Sequence, residues 1–164
     1  MTTPGALVAT GQLHLGASVV AARTGDHDAV RGHLDEASRI ASSTGDQVET
    51  LWVAFGPTNV RAHHVITAVE LGRFGDAVEQ AADLRFPAGW LPTRIGHHHI
   101  DMANAYLGMN RSQLALSELL KARAVAPLQA RRHPQVRRVV DMLVRGERRR
   151  STSLATYLTW LETA

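Results

Sequence analysis

Residues 99–127 read His-Ile-Asp-Met-Ala103-Asn-Ala-Tyr106-Leu-Gly108-Met-Asn110-Arg-Ser-Gln-Leu-Ala115-Leu-Ser-Glu-Leu119-Leu-Lys-Ala122-Arg-Ala-Val-Ala-Pro127. Two runs of helical period flank a turn at Gly108–Asn110, and Pro127 closes the second run. Small Ala103, Ala115 and Ala122 alternate with large Tyr106 and Leu119. Two antiparallel helices approach closely only where small residues face each other, with large ones filling the space beside them.

That spacing is the one found in a tetratricopeptide unit, and weaker copies of it run through the chain. Leu7 to about Thr24 and Asp28 to about Ser43 form a pair broken at Gly25-Asp26 and closed by Thr44-Gly45-Asp46. Val30, Leu34 and Ala37 there correspond to Ala115, Leu119 and Ala122. A further copy spans about Asn59 to Leu84, turning at Gly72–Gly75, with Ala77, Ala81 and Leu84 in the matching places. The reading is therefore all-α: one domain over residues 1–164, a tetratricopeptide-like array of about 7–8 helices in a right-handed superhelix. Its units are about 7–45, 49–84 and 92–127. Pro134 is expected to start a helix with the stripe Val136, Val139, Val140 and Leu143. A last helix carries Leu154, Tyr157, Leu158 and Leu161. This pair, 133–163, serves as the cap that a helical array needs at its end, or it pairs with a copy of the chain in a homodimer.

Composition sets outer limits. The chain has no cysteine, which excludes disulfides and thiolate metal sites. No contiguous apolar run is long enough to suggest a membrane span, and the N-terminus lacks the pattern of a secretory signal, so a cytoplasmic location is expected. Residues 1–84 hold ten acids and five bases, and residues 85–164 hold five acids and thirteen bases. The basic half permits an acidic partner. The clusters Arg131-Arg132, Arg137-Arg138 and Arg148–Arg150 have few aromatics among them, which argues for a solvated tail over a surface that stacks single-stranded nucleic acid.

Trp52-Val-Ala-Phe55-Gly56-Pro57-Thr58-Asn59-Val60, followed by His64 and Val69-Glu70-Leu71-Gly72, resembles the tetratricopeptide sensor portion of helix-turn-helix regulators from high-GC, antibiotic-producing bacteria. Ala103-Asn-Ala-Tyr106, Ala126-Pro127 and the arginine-rich tail fit the same family, over roughly residues 7–160. The resemblance implies a regulatory module that binds a peptide or small metabolite in a concave groove and acts through protein contacts, with a link to control of secondary metabolism. In such regulators a DNA-binding helix-turn-helix precedes the repeats. Here the first repeat helix opens the chain, so direct DNA binding is not expected.

By analogy with such arrays, the first helix of each hairpin lines the groove. The mapped positions are Gln12, Leu15, Val19 and Arg23; then Asn59, Ala62, His63, Ile66 and Glu70; then His97, Ile100, Asp101, Asn104 and Leu107. Asn59, His63, His97, Asp101 and Asn104 are the polar candidates, with Trp52 and Trp90 as aromatic walls or end plugs. The run His97-His98-His99 cannot converge on one ion, because neighbouring helical residues point about 100° apart. His99 falls on an inward position and reads as a core histidine. Neither a metal site nor a cofactor is expected. No Gly-x-Ser-x-Gly, His-Glu-x-x-His or phosphate-loop motif is present. Two alternatives stay open: an enzyme on a repeat scaffold using His63, His97 and Asp101 as acid/base residues, and a scaffold that only joins proteins.

Overall fold

A computed structural model describes residues 3–47, 53–146 and 151–163. Nine helices lie among them: α1 (Pro4–Arg23), α2 (His27–Thr44), α3 (Pro57–Glu70), α4 (Phe74–Ala81), α5 (Pro92–Gly108), α6 (Ser112–Val125), α7 (Pro127–Arg132), α8 (Pro134–Gly146) and α9 (Thr152–Glu162). The all-α expectation holds. The count exceeds 7–8 because Pro127 does two things. It ends α6, and its fixed φ then starts the six-residue α7 at the first helical position. Proline opens α1, α3, α5 and α8 in the same way. Thr3 caps α1 through a hydrogen bond from the Ala6 amide, so this helix begins one turn before Leu7.

The helices pack as successive hairpins: α1 with α2, α3 with α4, and α5 with α6. The first helix of each later hairpin rests on both helices of the one before it. Thus α3 touches α1 and α2, α5 touches α3 and α4, and α8 touches α5 and α6. This gives a continuous row of first helices, α1, α3, α5 and α8. The apolar interior follows the small-and-large spacing. Ala103, Ala115, Leu119 and Ala122 are all fully buried with Val136, Val139 and Leu143 of α8 and Leu154 and Tyr157 of α9. A second cluster joins Val8, Leu15, Leu34, Ala37, Ile40, Phe55 and Val60.

Two glycines make the first junction. A Cβ on Gly11 would fall 2.0 Å from the ring of fully buried Phe55. Gly56 has φ 141°, and a Cβ there would strike Asp46 at 2.5 Å. Asp46 instead accepts from the Thr58 amide and hydroxyl, at 2.9 and 2.7 Å, and pins the start of α3. An isolated antiparallel bridge, Gln47 to Phe55, closes the same loop.

α1 departs from the sequence reading in one respect. Thr10, Gln12 and His14 interrupt its apolar runs, but no charge occurs before Arg23, and an 18-residue window of the helix has a mean hydropathy of 1.3, long and apolar enough by composition to cross a membrane. In the structure Val8, Leu15 and Ala22 bury into the first cluster, while Leu13 and Val20 stand 74% and 61% exposed on the far side. Arg131 of the arginine-rich tail is also structural, together with Arg123 of α6. Arg123 and Arg131 each place the guanidinium 4.7 Å from the Trp160 ring centroid, and Arg131 donates to the Trp160 carbonyl at 3.0 Å. These contacts tie α9 to α6 and α7. Arg148–Arg150 lie outside the described residues.

Candidate functional site

Polar side chains link each first helix to the next. Asn59 on α3 donates to Gln12 of α1 at 3.3 Å and to the Ala54 carbonyl at 2.7 Å. At the other end of the same helix pair, Arg23 of α1 donates to Glu70 of α3 at 2.9 Å. Arg94 of α5 donates through Nε to Asn59 Oδ1 at 2.9 Å and points an Nη at His63 Nε2, 3.4 Å away. Asn104 of α5 donates to Gln135 of α8 at 3.3 Å and accepts from Arg138 of α8 at 3.3 Å. The row α1–α3–α5–α8 is thus stitched by a polar ladder lying beside the apolar packing.

The tautomer of His63 follows from its neighbours. Nδ1 lies 2.9 Å from the Asn59 carbonyl and must donate to it, which leaves the Nε2 lone pair facing Arg94. The ring is buried, and burial followed by the nearby Arg94 charge holds its pKa down to about 3. It is neutral throughout the physiological range.

Asp101 occupies the centre of α5 and is 2% exposed. Its Oδ1 lies 3.7 Å from His97 Nε2, too long for a hydrogen bond, and its Oδ2 has no partner. Burial raises its pKa to about 8, against the pull of Arg94 and Arg23. Burial likewise lowers His97 to about 4, with Arg94 and His133 adding to the effect. Near pH 7 both groups are therefore neutral, and their contact is not an ion pair. His97 packs its ring edge-on against His133 at 5.0 Å and leaves part of its side chain exposed.

Two hollows flank this buried floor. One, of about 220 Å³, is walled by Gln12, Val53, Leu91, Arg94, His97 and Gln129. Gln129 Oε1 is buried with no partner. The other, of about 340 Å³, is walled by Val69, Glu70, Phe74, Asn104, Gln135 and Arg138. A third, of about 310 Å³, lies across α2, α3 and α4 between Leu34, Asp35, His64 and Arg73. Two basic groups on its lining, Arg31 and Arg73, are engaged by Asp28 and Asp76.

The structure thus brings Asn59, His63, His97, Asp101 and Asn104 onto one row. Asn59, His63, Asp101 and Asn104 form its buried floor, and His97 reaches the edge of a hollow. Trp90 is buried beside Phe86, at a centroid distance of 6.4 Å, and lines neither of the flanking hollows. Trp52 lies outside the described residues. Of the other histidines in the run, His99 is half-buried and meets Glu118 at 2.7 Å. His98 turns to Phe86, and burial lowers its pKa to about 4. Among the described residues, no group of three or more His, Asp or Glu side chains is arranged to hold a metal ion.

Arg94 is the residue sequence reasoning missed. It sits one turn before the histidine run and carries the central contacts of the ladder. A hint existed: an arginine three residues before His97 on the same helix shares its face. Gln135 and Arg138 escaped for another reason, since they lie in the segment read as cap and solvated tail. Comparison of the chain with family models, curated proteins and solved structures gives no match.

Proposed function

We propose that this chain is a ligand-binding regulatory module of the tetratricopeptide type. Its hairpins would wind in a right-handed superhelix, and the row α1–α3–α5–α8 would form the concave wall. The observation that carries the reading is the polar ladder ending at the 220 Å³ hollow, where Arg94, His97, Gln12 and Gln129 converge beside apolar Val53 and Leu91. Binding sites combine such apolar walls with a few placed polar groups. The guest is a peptide or small polar metabolite. The output is a changed contact with a protein partner, in the cytoplasm, in the control of secondary metabolism. A guest acts only through different affinity for two packings of the hairpins.

Calorimetry with short peptides and polar metabolites tests this, with Thr93→Trp as the diagnostic variant. Thr93 is exposed and lines the hollow, so an indole there fills it without touching the core. Binding by the parent chain, and loss of binding in a Thr93→Trp protein of unchanged melting temperature, supports the site. Unchanged affinity in that variant places the guest elsewhere and defeats the reading.

A further inference from the structure

We propose that His14 and His33 form a bis-imidazole site for a divalent transition-metal ion of the copper, nickel and zinc group, on the flank of the first hairpin. His14 is on α1 and His33 on α2. Their Nδ1 atoms face each other at 3.0 Å, with ring centroids 5.2 Å apart. At a metal–nitrogen bond of about 2.0–2.1 Å, two cis nitrogens of a square-planar ion lie about 2.9 Å apart, and two nitrogens of a tetrahedral ion about 3.3 Å. The observed nitrogen separation falls between these values, and the centroid distance shows the two rings nearly head-on, so an ion enters when both rings tilt until their Nδ1 lone pairs converge on it.

The proton balance permits it. Without metal, the contact needs one Nδ1–H donor and one Nδ1 lone pair. With metal, both Nδ1 lone pairs are donors, and the ring that held Nδ1–H carries its proton on Nε2 instead. A neutral pair loses no net proton, and each ring that began protonated releases one.

The scaffold is already set. Leu15 and Leu34, the sequence neighbours of the two histidines, are buried in the first core cluster and fix both backbones. Both rings are half-buried, leaving each Nε2–H access to water. Gly32 opens onto free space beside His33. Glu36, one turn after His33, is held by Arg39 at 2.9 and 2.5 Å. No third His, Asp or Glu converges there among the described residues. The protein therefore supplies two donors and water completes the shell. This arrangement suits an ion that accepts imidazole strongly, with copper(II) ahead of nickel(II) and zinc(II). The site is independent of the groove proposed above.

The test uses the full chain without an affinity tag, titrated calorimetrically with copper(II), nickel(II) and zinc(II) chlorides, with electron paramagnetic resonance of the copper complex. One principal site per chain, two coordinated imidazole nitrogens, and a loss of about tenfold or more in His14→Ala and in His33→Ala are expected. His99→Ala should stay within about twofold of the parent, because His99 sits in the α5–α6 hairpin against Glu118. His33→Phe guards against trivial loss through misfolding: it keeps a ring and removes the ligand, so helical circular dichroism should persist while metal affinity falls. Parent-like affinity in His14→Ala or His33→Ala overturns the proposal. A loss that follows His99 instead, or a copper spectrum without two imidazole nitrogens, does the same.

Discussion

Replacing Asp101 with Asn should stabilise the protein by an amount that grows with pH. Asp101 is the one carboxyl on the inner row with a buried, partnerless oxygen, and its pKa stands near 8 in the fold against 3.8 for the free side chain. A raised folded pKa means that the native state holds its proton longer than the unfolded chain. Stability from this group is fully present below pH 3.8 and is lost as pH rises toward 8. The slope between those values is at most about 1.4 kcal/mol per pH unit, giving about 4 kcal/mol lost by pH 7. Asn cannot titrate and nearly matches the protonated acid in shape. The difference in unfolding free energy, Asp101→Asn minus parent, should therefore climb by about 3 kcal/mol from pH 5 to pH 7.5, half that if water reaches the carboxyl. Its value at any single pH is less telling, because an Asn amide left without an acceptor costs about 1–3 kcal/mol of its own. Urea denaturation followed by circular dichroism at five or six pH values reads the slope, and histidine titrations cancel between the two proteins. A flat difference would mean that Asp101 is ionised in the fold, paired with Arg94 or Arg23, and the description of a neutral floor would be wrong.

Three further outcomes follow from other parts of the fold. Burial lowers His63 to about 3 and His97 and His98 to about 4, so the unfolded chain takes up these protons first. Parent stability should fall as pH drops below 6.5, by at most about 1.4 kcal/mol per unit for each ring and less the opposite contribution of Asp101 over the same range, and His63→Gln should flatten that acid limb in the same denaturation series. Gly11→Ala should cost about 1–3 kcal/mol by overpacking against Phe55, whereas Gly16→Ala on the same helix, where a Cβ meets nothing within 4 Å, should gain up to about 1 kcal/mol; thermal melts of the pair would give opposite shifts. Tyr157→Phe should be neutral or stabilising in chemical denaturation, because the buried hydroxyl has no partner to lose.

The hairpins were legible because their signal is local. Ala103, Ala115, Leu119 and Ala122 are spaced so that close helix approach is the only way to bury them together, and all four are buried. The mapping of groove positions by analogy with tetratricopeptide arrays put Asn59, His63, Asp101 and Asn104 on one row. Their partners were not legible. Arg94 meets Asn59 across 35 residues, and Arg138 meets Asn104 across 34. Each pairing depends on the rotation between successive hairpins, which no local pattern encodes. α7 was hidden because Pro127 reads as a stop, although the same ring preorganises a start. The facing pair His14 and His33 left no mark in the sequence either. Nineteen residues and a turn separate them, while the consecutive run at 97–99 draws the eye to residues that the helix disperses.

The ladder bears on how such an array could respond to a guest. Apolar contacts between hairpins tolerate small sliding, since they are non-directional. Hydrogen bonds between α3 and α5 do not: a guanidinium bonded to Asn59 Oδ1 and aimed at His63 Nε2 holds one register, and a shift of an ångström breaks it. Asn59 and His63 are buried, so they cannot turn to water if Arg94 withdraws. Arg94 also faces the 220 Å³ hollow. A guest there that accepts hydrogen bonds competes with Asn59 and His63 for the same donors. It either shares the guanidinium and stiffens the existing register, or draws it out and leaves two buried groups in need of new partners. These are discrete alternatives, and two discrete packings with different affinities are what a regulatory module requires.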